Sequence, residues 1–141
     1  MLRIAREPID PKSVEARAHS ENCGGVVTFL GIVRARADDG RSVDGLHYEA
    51  FDEMAVAEFE AITAEARERF GNVRIAAEHR VGDLKVGDVA VVVCVAAEHR
   101  GEAFAACRYA IDELKRRAPI WKKEHYVDGG GEWKANAARV T

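Results

Sequence analysis

Most of the patterns that announce a function class are missing from this chain. Its three cysteines, Cys23, Cys94 and Cys107, are an odd number with no CxxC or CxxxC spacing, so neither a disulfide framework nor a zinc site is indicated. The five histidines are scattered and none forms an HxxxH pair, so no metal and no cofactor is expected. The longest apolar run is Val89 to Ala97, far short of the ~20 residues a spanning helix needs. The opening MLRIAREPID has no apolar core of a signal peptide and is broken by Asp10-Pro11. The expectation is a cytoplasmic protein that engages no membrane. A strong excess of one charge is also missing. Lys and Arg number 21 against 24 Asp and Glu, a formal net charge of -3, which argues against a general nucleic-acid binder.

What is present is an ordinary globular composition, 48% hydrophobic and 32% charged, in 141 residues, which fits one domain with one core. Leu2 and Ile4 alternate with polar neighbours as a short strand. Asp10-Pro11 has the form of an N-cap followed by proline at the first helical position, starting a helix that runs to about Ser20. After Gly24-Gly25, the β-branched run GVVTFLGIV suits a buried strand. Arg34 to Ser42, with turn chemistry at Asp39-Gly40, reads as an exposed, mobile loop, and VDGLHYEA as the next strand.

From Asp52 to Phe70 the period becomes helical, with Met54, Ala55, Phe59, Ile62, Ala66 and Phe70 on one stripe and Gly71 as the stop. Val73, Ile75 and Ala77 alternate as a strand, a short LKV segment lies between two Gly-Asp turns, and Val89–Ala97 is the candidate central strand. A further helix spans about Gly101 to Arg117, with Phe104, Cys107, Ile111 and Leu114 inward, and Pro119 ends it. IWKKEHY alternates like a strand. Residues 127–141, opened by Gly129-Gly130-Gly131, form a Gly-rich, flexible tail. The order predicts an α+β (mixed α/β) domain covering 1–141.

Positive charge gathers late in the chain: Lys115, Arg116, Arg117, Lys122 and Lys123 flank one Pro-Ile-Trp. At 100° per residue, Lys115 lies at the edge of the apolar stripe, near Phe104 and Ile111, while Arg116 and Arg117 turn toward solvent. Two readings fit Lys115. Held against a core it loses hydration and becomes useful for acid–base work; alternatively its stem covers the core while the ammonium snorkels out. His99-Arg100 stands where the central strand ends and a helix begins, a place suited to anions, and it also fits a structural histidine beside a surface arginine. Arg34 ends an apolar strand. Lys122 and Lys123 point to opposite faces of a strand, and the pattern leaves open which faces inward. The cysteines read as core residues rather than nucleophiles.

Five stretches in order, GGVVTFLGIVR (24–34), LHYEAFDEMA (46–55), HRVGDLKVGD (79–88), AAEHRGEAFAA (96–106) and DELKRRAPIWKKE (112–124), resemble the large, catalytic subunit family of molybdopterin synthase. The resemblance implies an α/β hammerhead-type domain with an added antiparallel β subdomain. It implies a homodimer within a heterotetramer, each end holding a small ubiquitin-like subunit. That subunit's Gly-Gly tail ends in a thiocarboxylate, whose sulfur goes to cyclic pyranopterin monophosphate. By motif, Lys115 and Lys122 match the family's catalytic pocket lysines, and Arg34, His99 and Arg100 its substrate-binding residues. Near the second tryptophan, Lys134 and Arg139 are both available, but the register assigns neither to a pocket.

Overall fold

A computed structural model describes residues 1–136. The chain runs β1 (Leu2–Ala5), α1 (Pro11–Ala18), β2 (Gly25–Ile32), β3 (Val43–Ala50), α2 (Asp52–Phe70), β4 (Arg74–Arg80), β5 (Gly82–Lys85), β6 (Val89–Ala97), α3 (Arg100–Arg117), β7 (Ile120–Tyr126) and β8 (Trp133–Ala135). The strands make two four-stranded sheets, ordered β1-β4-β6-β2 and β5-β3-β7-β8. In the first, β1 runs parallel to β4, whereas β4, β6 and β2 pair antiparallel. The second is antiparallel throughout. The α+β expectation is borne out, and this second sheet is the antiparallel addition.

Local chemistry accounts for the elements. Asp10 caps α1 by accepting from the Lys12 backbone N–H at 3.1 Å, and Pro11 occupies the first helical position. In β6 alternate residues serve opposite faces. Val91, Val93, Val95 and Ala97 meet α2 and α3 through Phe59, Ile62, Ala106 and Leu114. Val92, Cys94 and Ala96 meet Ile9, Val14 and Ala18 beside α1. A strand covered on both faces needs no polar alternation, which is why its sequence is continuously apolar.

Four expectations are corrected. The run GVVTFLGIV is an edge strand, not a buried one, and Val26, Phe29, Leu30 and Ile32 on it are exposed. Phe104 is 62% exposed, because the inner face of α3 is made by Ala103, Ala106, Cys107, Ala110, Ile111 and Leu114. Met54, placed on the α2 stripe by its period, is likewise exposed. Arg117 does not turn to solvent. It bridges to α2, donating to Glu58 at 2.7 Å and to both carboxylate oxygens of Glu65 at 2.6 and 2.9 Å, which also accepts from Tyr109. These bonds hold the Glu65 carboxyl down at about 2.

The Arg34–Ser42 loop is tied at its neck by an Arg36–Ser42 bridge and buries Ala37, with Gly40 at φ 88° making the turn. Within 127–141, Trp133–Ala135 adds a strand to β7.

Candidate functional site

The site starts in the last turn of α3. Lys115 follows Ile111 by four residues and so shares its side of the helix. It closes one end of a cleft of about 510 Å³ between α3 and β2, whose walls include Val27, Phe29, Phe104, Cys107 and Ile111. Burial strips water from the ammonium, and Lys122 and Arg34 repel it; together they lower its pKa from 10.5 to about 8. Near neutrality such a lysine exists in both protonation states, so it can deliver or accept a proton.

Strand register decides between the two lysines of β7. Lys122 stands opposite Tyr48 of β3 and Lys134 of β8, on the face that carries the buried Ile120, Glu124 and Tyr126. Lys122 is therefore the inward lysine and Lys123 lies on the other face. Lys134 donates to Glu124 at 2.9 Å and to the Tyr126 hydroxyl at 3.3 Å, and this pairing raises its pKa. Its charge is thus engaged with a buried carboxylate. Arg139 lies outside the described residues. Arg34 follows β2, is exposed, and pairs with Asp38 at 2.8 Å.

His99 and Arg100 stand at the opposite end of α3. His99 occupies the N-cap position without a capping bond, and its exposed ring lies 3.5 Å from the Glu98 carboxylate. Fifteen residues of helix at 1.5 Å each put Arg100 about 22 Å along the axis from Lys115. So Lys115, Lys122 and Arg34 come together within one chain, whereas His99 and Arg100 do not join them there. The start of α3 is instead crossed by Gly24-Gly25. A Cβ on Gly24 would lie 2.8 Å from the Glu98 carbonyl oxygen, and one on Gly25 3.2 Å from the Arg100 Cα, so this crossing requires glycine.

Cys107 lines the cleft but is 4% exposed, and burial pushes its thiol up to about 11. It stays protonated at neutral pH and is no thiolate nucleophile. Among the described residues, no group of three or more His, Cys, Asp or Glu is placed to hold a metal ion.

Sequence reasoning missed one polar pair beside this site. His79 is 1% exposed and Asn136 4%. The His79 ring takes the Arg80 carbonyl at Nδ1 (2.8 Å) and the Asn136 amide at Nε2 (3.3 Å). Burial, with the nearby Lys115 charge adding to it, lowers the His79 pKa to about 4 against the raising effect of the Arg80 carbonyl. The signal available was the His-Arg at the head of HRVGDLKVGD, but its partner lies 57 residues away, which no local period reveals.

Comparison with known proteins gives a consistent picture. The family model described as "MoaE protein" matches residues 4–117. A molybdopterin synthase catalytic subunit from Pyrococcus abyssi is 46% identical over 134 residues, covering 94% of this chain and 89% of that protein. A molybdopterin synthase structure from Staphylococcus aureus superposes with a TM-score of 0.87 at 36% identity, covering 94% of this chain and 95% of that one. A complex of subunits 1 and 2 of molybdopterin-converting factor from Helicobacter pylori shares the fold, with a TM-score of 0.75 at 24% identity, covering 94% and 88%.

Proposed function

The chain belongs to the MoaE family, the catalytic subunits of molybdopterin synthase, and from that premise we propose how its residues transfer sulfur in molybdenum cofactor biosynthesis. The donor is the C-terminal thiocarboxylate of a small ubiquitin-like subunit, whose Gly-Gly tail enters the cleft beside Lys115. The acceptor is cyclic pyranopterin monophosphate, and two transfers complete the dithiolene. The observation that carries this reading is the half-buried Lys115, set between two further cations, Lys122 and Arg34, at the mouth of a cleft. Its lowered pKa suits it as general acid/base as the tail's thiocarboxylate is consumed. Lys122 stabilises the oxyanion that forms, and Arg34 holds the anionic substrate. The protonated Cys107 fits a reaction whose sulfur comes from the partner.

His99 and Arg100 belong to the same reaction through a second copy of the chain. β2 is an edge strand with four exposed apolar side chains, a surface suited to self-pairing in an isologous homodimer. Antiparallel pairing of two β2 strands sets the Gly25 end of one copy beside the Ile32 end of the other. Gly25 lies against Arg100, and Arg34 follows Ile32 by two residues. One copy thus brings His99 and Arg100 toward the other copy's Arg34 and Lys115, where they bind the phosphate and pterin. Two such sites per dimer, each taking one small subunit, give the heterotetramer. The three free cysteines suit the reducing cytoplasm, where we place the protein.

The experiment mixes purified protein with thiocarboxylated small subunit and pterin precursor and measures molybdopterin. Lys115→Ala and Arg100→Ala homodimers, each inactive alone, should regain up to roughly a quarter to a half of wild-type turnover when subunits are exchanged, because one hybrid site keeps both groups. Two defective variants that never complement would remove the shared site.

A further inference from the structure

His79, Asn136 and Tyr48 join parts of the molecule that are otherwise separate. His79 belongs to β4 of the first sheet, while Tyr48 is on β3 of the second and Asn136 directly follows β8 at its edge. The Arg80 carbonyl accepts only, so Nδ1 of His79 carries the proton and donates, and Nε2 is left to accept from the Asn136 side-chain amide. The Asn136 backbone N–H in turn donates to the carbonyl of Ile120, the first residue of β7, at 3.0 Å. The Tyr48 ring meets the His79 ring edge-on, with centroids 4.9 Å apart, and Tyr48 is the direct cross-strand partner of Lys122. Both routes from His79 therefore lead into β7 within two residues of Lys122.

We propose that the buried His79–Asn136 pair is a positioning clamp, fastening the β7 end of the second sheet to β4 and thereby setting how closely Lys122 approaches Lys115. The inference rests on the roles assigned above to the two lysines. Neither His79 nor Asn136 touches the cleft wall formed by β2 and α3, so neither is a catalytic residue. The two ring nitrogens of His79 are satisfied by the Arg80 carbonyl and the Asn136 amide, so removing the amide leaves Nε2 unpaired and loosens the joint. A histidine held neutral also places no third cation behind Lys115. The groups facing Lys115 are then Lys122 from β7, Arg34 after β2 and neutral His79 from β4, with Asp112 on its own helix engaged by Arg108.

The test uses full-length protein with ¹³C-labelled lysine and follows the Lys115 Cε resonance against pH, alongside molybdopterin formation. In wild type, the Lys115 midpoint lies well below that of an ordinary lysine. In His79→Phe, which keeps ring volume and removes both bonds, and in Asn136→Leu, Lys122 is released and repels Lys115 less. The midpoint should rise by about one pH unit in each. Turnover at saturating substrate should fall roughly 10- to 100-fold, the cost of a misplaced group, with small-subunit affinity unchanged. The double variant should lose no more than His79→Phe alone, because Asn136→Leu breaks only the His79–Asn136 bond that His79→Phe has already removed. His79→Gln, which donates and accepts as the imidazole does, should restore the midpoint and most of the turnover.

An unchanged Lys115 midpoint in folded His79→Phe or Asn136→Leu overturns the clamp, as do losses that add in the double variant. If His79→Phe does not fold, Asn136→Leu alone decides, since its backbone bond to Ile120 survives. Shifted midpoints in a protein whose wild type makes no molybdopterin would leave the clamp standing and refute the functional reading.

Discussion

β6 and β7 are interior strands of their respective sheets, yet they solve opposite problems. In β6, Val91 to Ala97 are all buried and all uncharged, and both faces disappear under helices. In β7 the inward face reads Ile120, Lys122, Glu124, Tyr126, with a cation and an anion among apolar neighbours. The first strand contributes the apolar burial that stabilises the fold. The second gives up part of that contribution to hold charge near Lys115, and it stays in place through specific polar partners: Lys134 for Glu124, and Asn136 for the Ile120 carbonyl. On the proposed reading, β7 supplies charge and β6 supplies apolar burial, and α3, which packs on β6 and carries Lys115 in its last turn, connects them.

If that division is right, changes on the two sides should be felt in different measurements. The largest separation is expected from Lys115→Ala, which should lower molybdopterin formation by roughly 10²–10⁴-fold, the usual weight of a general acid/base, while the thermal midpoint stays near wild type. Turnover within tenfold of wild type would remove the lysine from that role.

A somewhat smaller effect is expected in acid. His79 is neutral in the fold with a pKa of about 4 against 6.5 when unfolded, so between those values the unfolded chain binds the extra proton. Stability should accordingly be lost as pH falls from about 6.5 to 4, by about 3 kcal/mol from this residue, with no further loss from it below 4. Chemical denaturation at several pH values should show a flatter profile for His79→Gln; parallel profiles would assign the acid sensitivity elsewhere.

On the scaffold side, Val93→Ala removes two methyl groups from the middle of β6. It should cost roughly 2 kcal/mol in denaturant unfolding, yet leave turnover per folded molecule unchanged. A catalytic defect there would blur the division. The smallest shift in pH dependence belongs to Arg34→Ala, apart from any loss of substrate affinity. Removing a repelling cation should raise the Lys115 pKa, shifting the corresponding limb of the pH–rate profile upward by a few tenths of a unit, because Arg34 is exposed and screened. A downward shift would contradict the electrostatic account.

Much of the scaffold was legible in the sequence because its signals are local. Asp10-Pro11 and the Asp52–Phe70 period mark α1 and α2 at the residues where they begin, and the apolar run of β6 marks a covered strand. The same signal misled at β2. An apolar strand has one appearance in sequence whether its side chains are covered or left open, and Val26, Leu30 and Ile32 are left exposed in the single chain. Phe104 failed for a related reason, since small alanines on either side of it supply the close helix packing. The site was legible by halves. The helical period placed Lys115 at the edge of the core, but the choice between Lys122 and Lys123 needed the register with Tyr48. The separation of His99 and Arg100 from Lys115 needed only the length of α3, a distance that motif matching does not measure.

The crossing at Gly24-Gly25 has a genetic consequence. One added methyl at Gly24 meets the Glu98 backbone oxygen at 2.8 Å, so strand and helix must part, and on the proposed pairing this is where one copy leans toward the other. A missense change there would score as an assembly fault by sedimentation and as a dead enzyme by product, although it touches no substrate. On the proposed dimer, strains carrying such an allele would not be rescued by a differently broken copy in trans, because subunit exchange itself fails, which sets it apart from lesions at Lys115 or Arg100, whose variants complement.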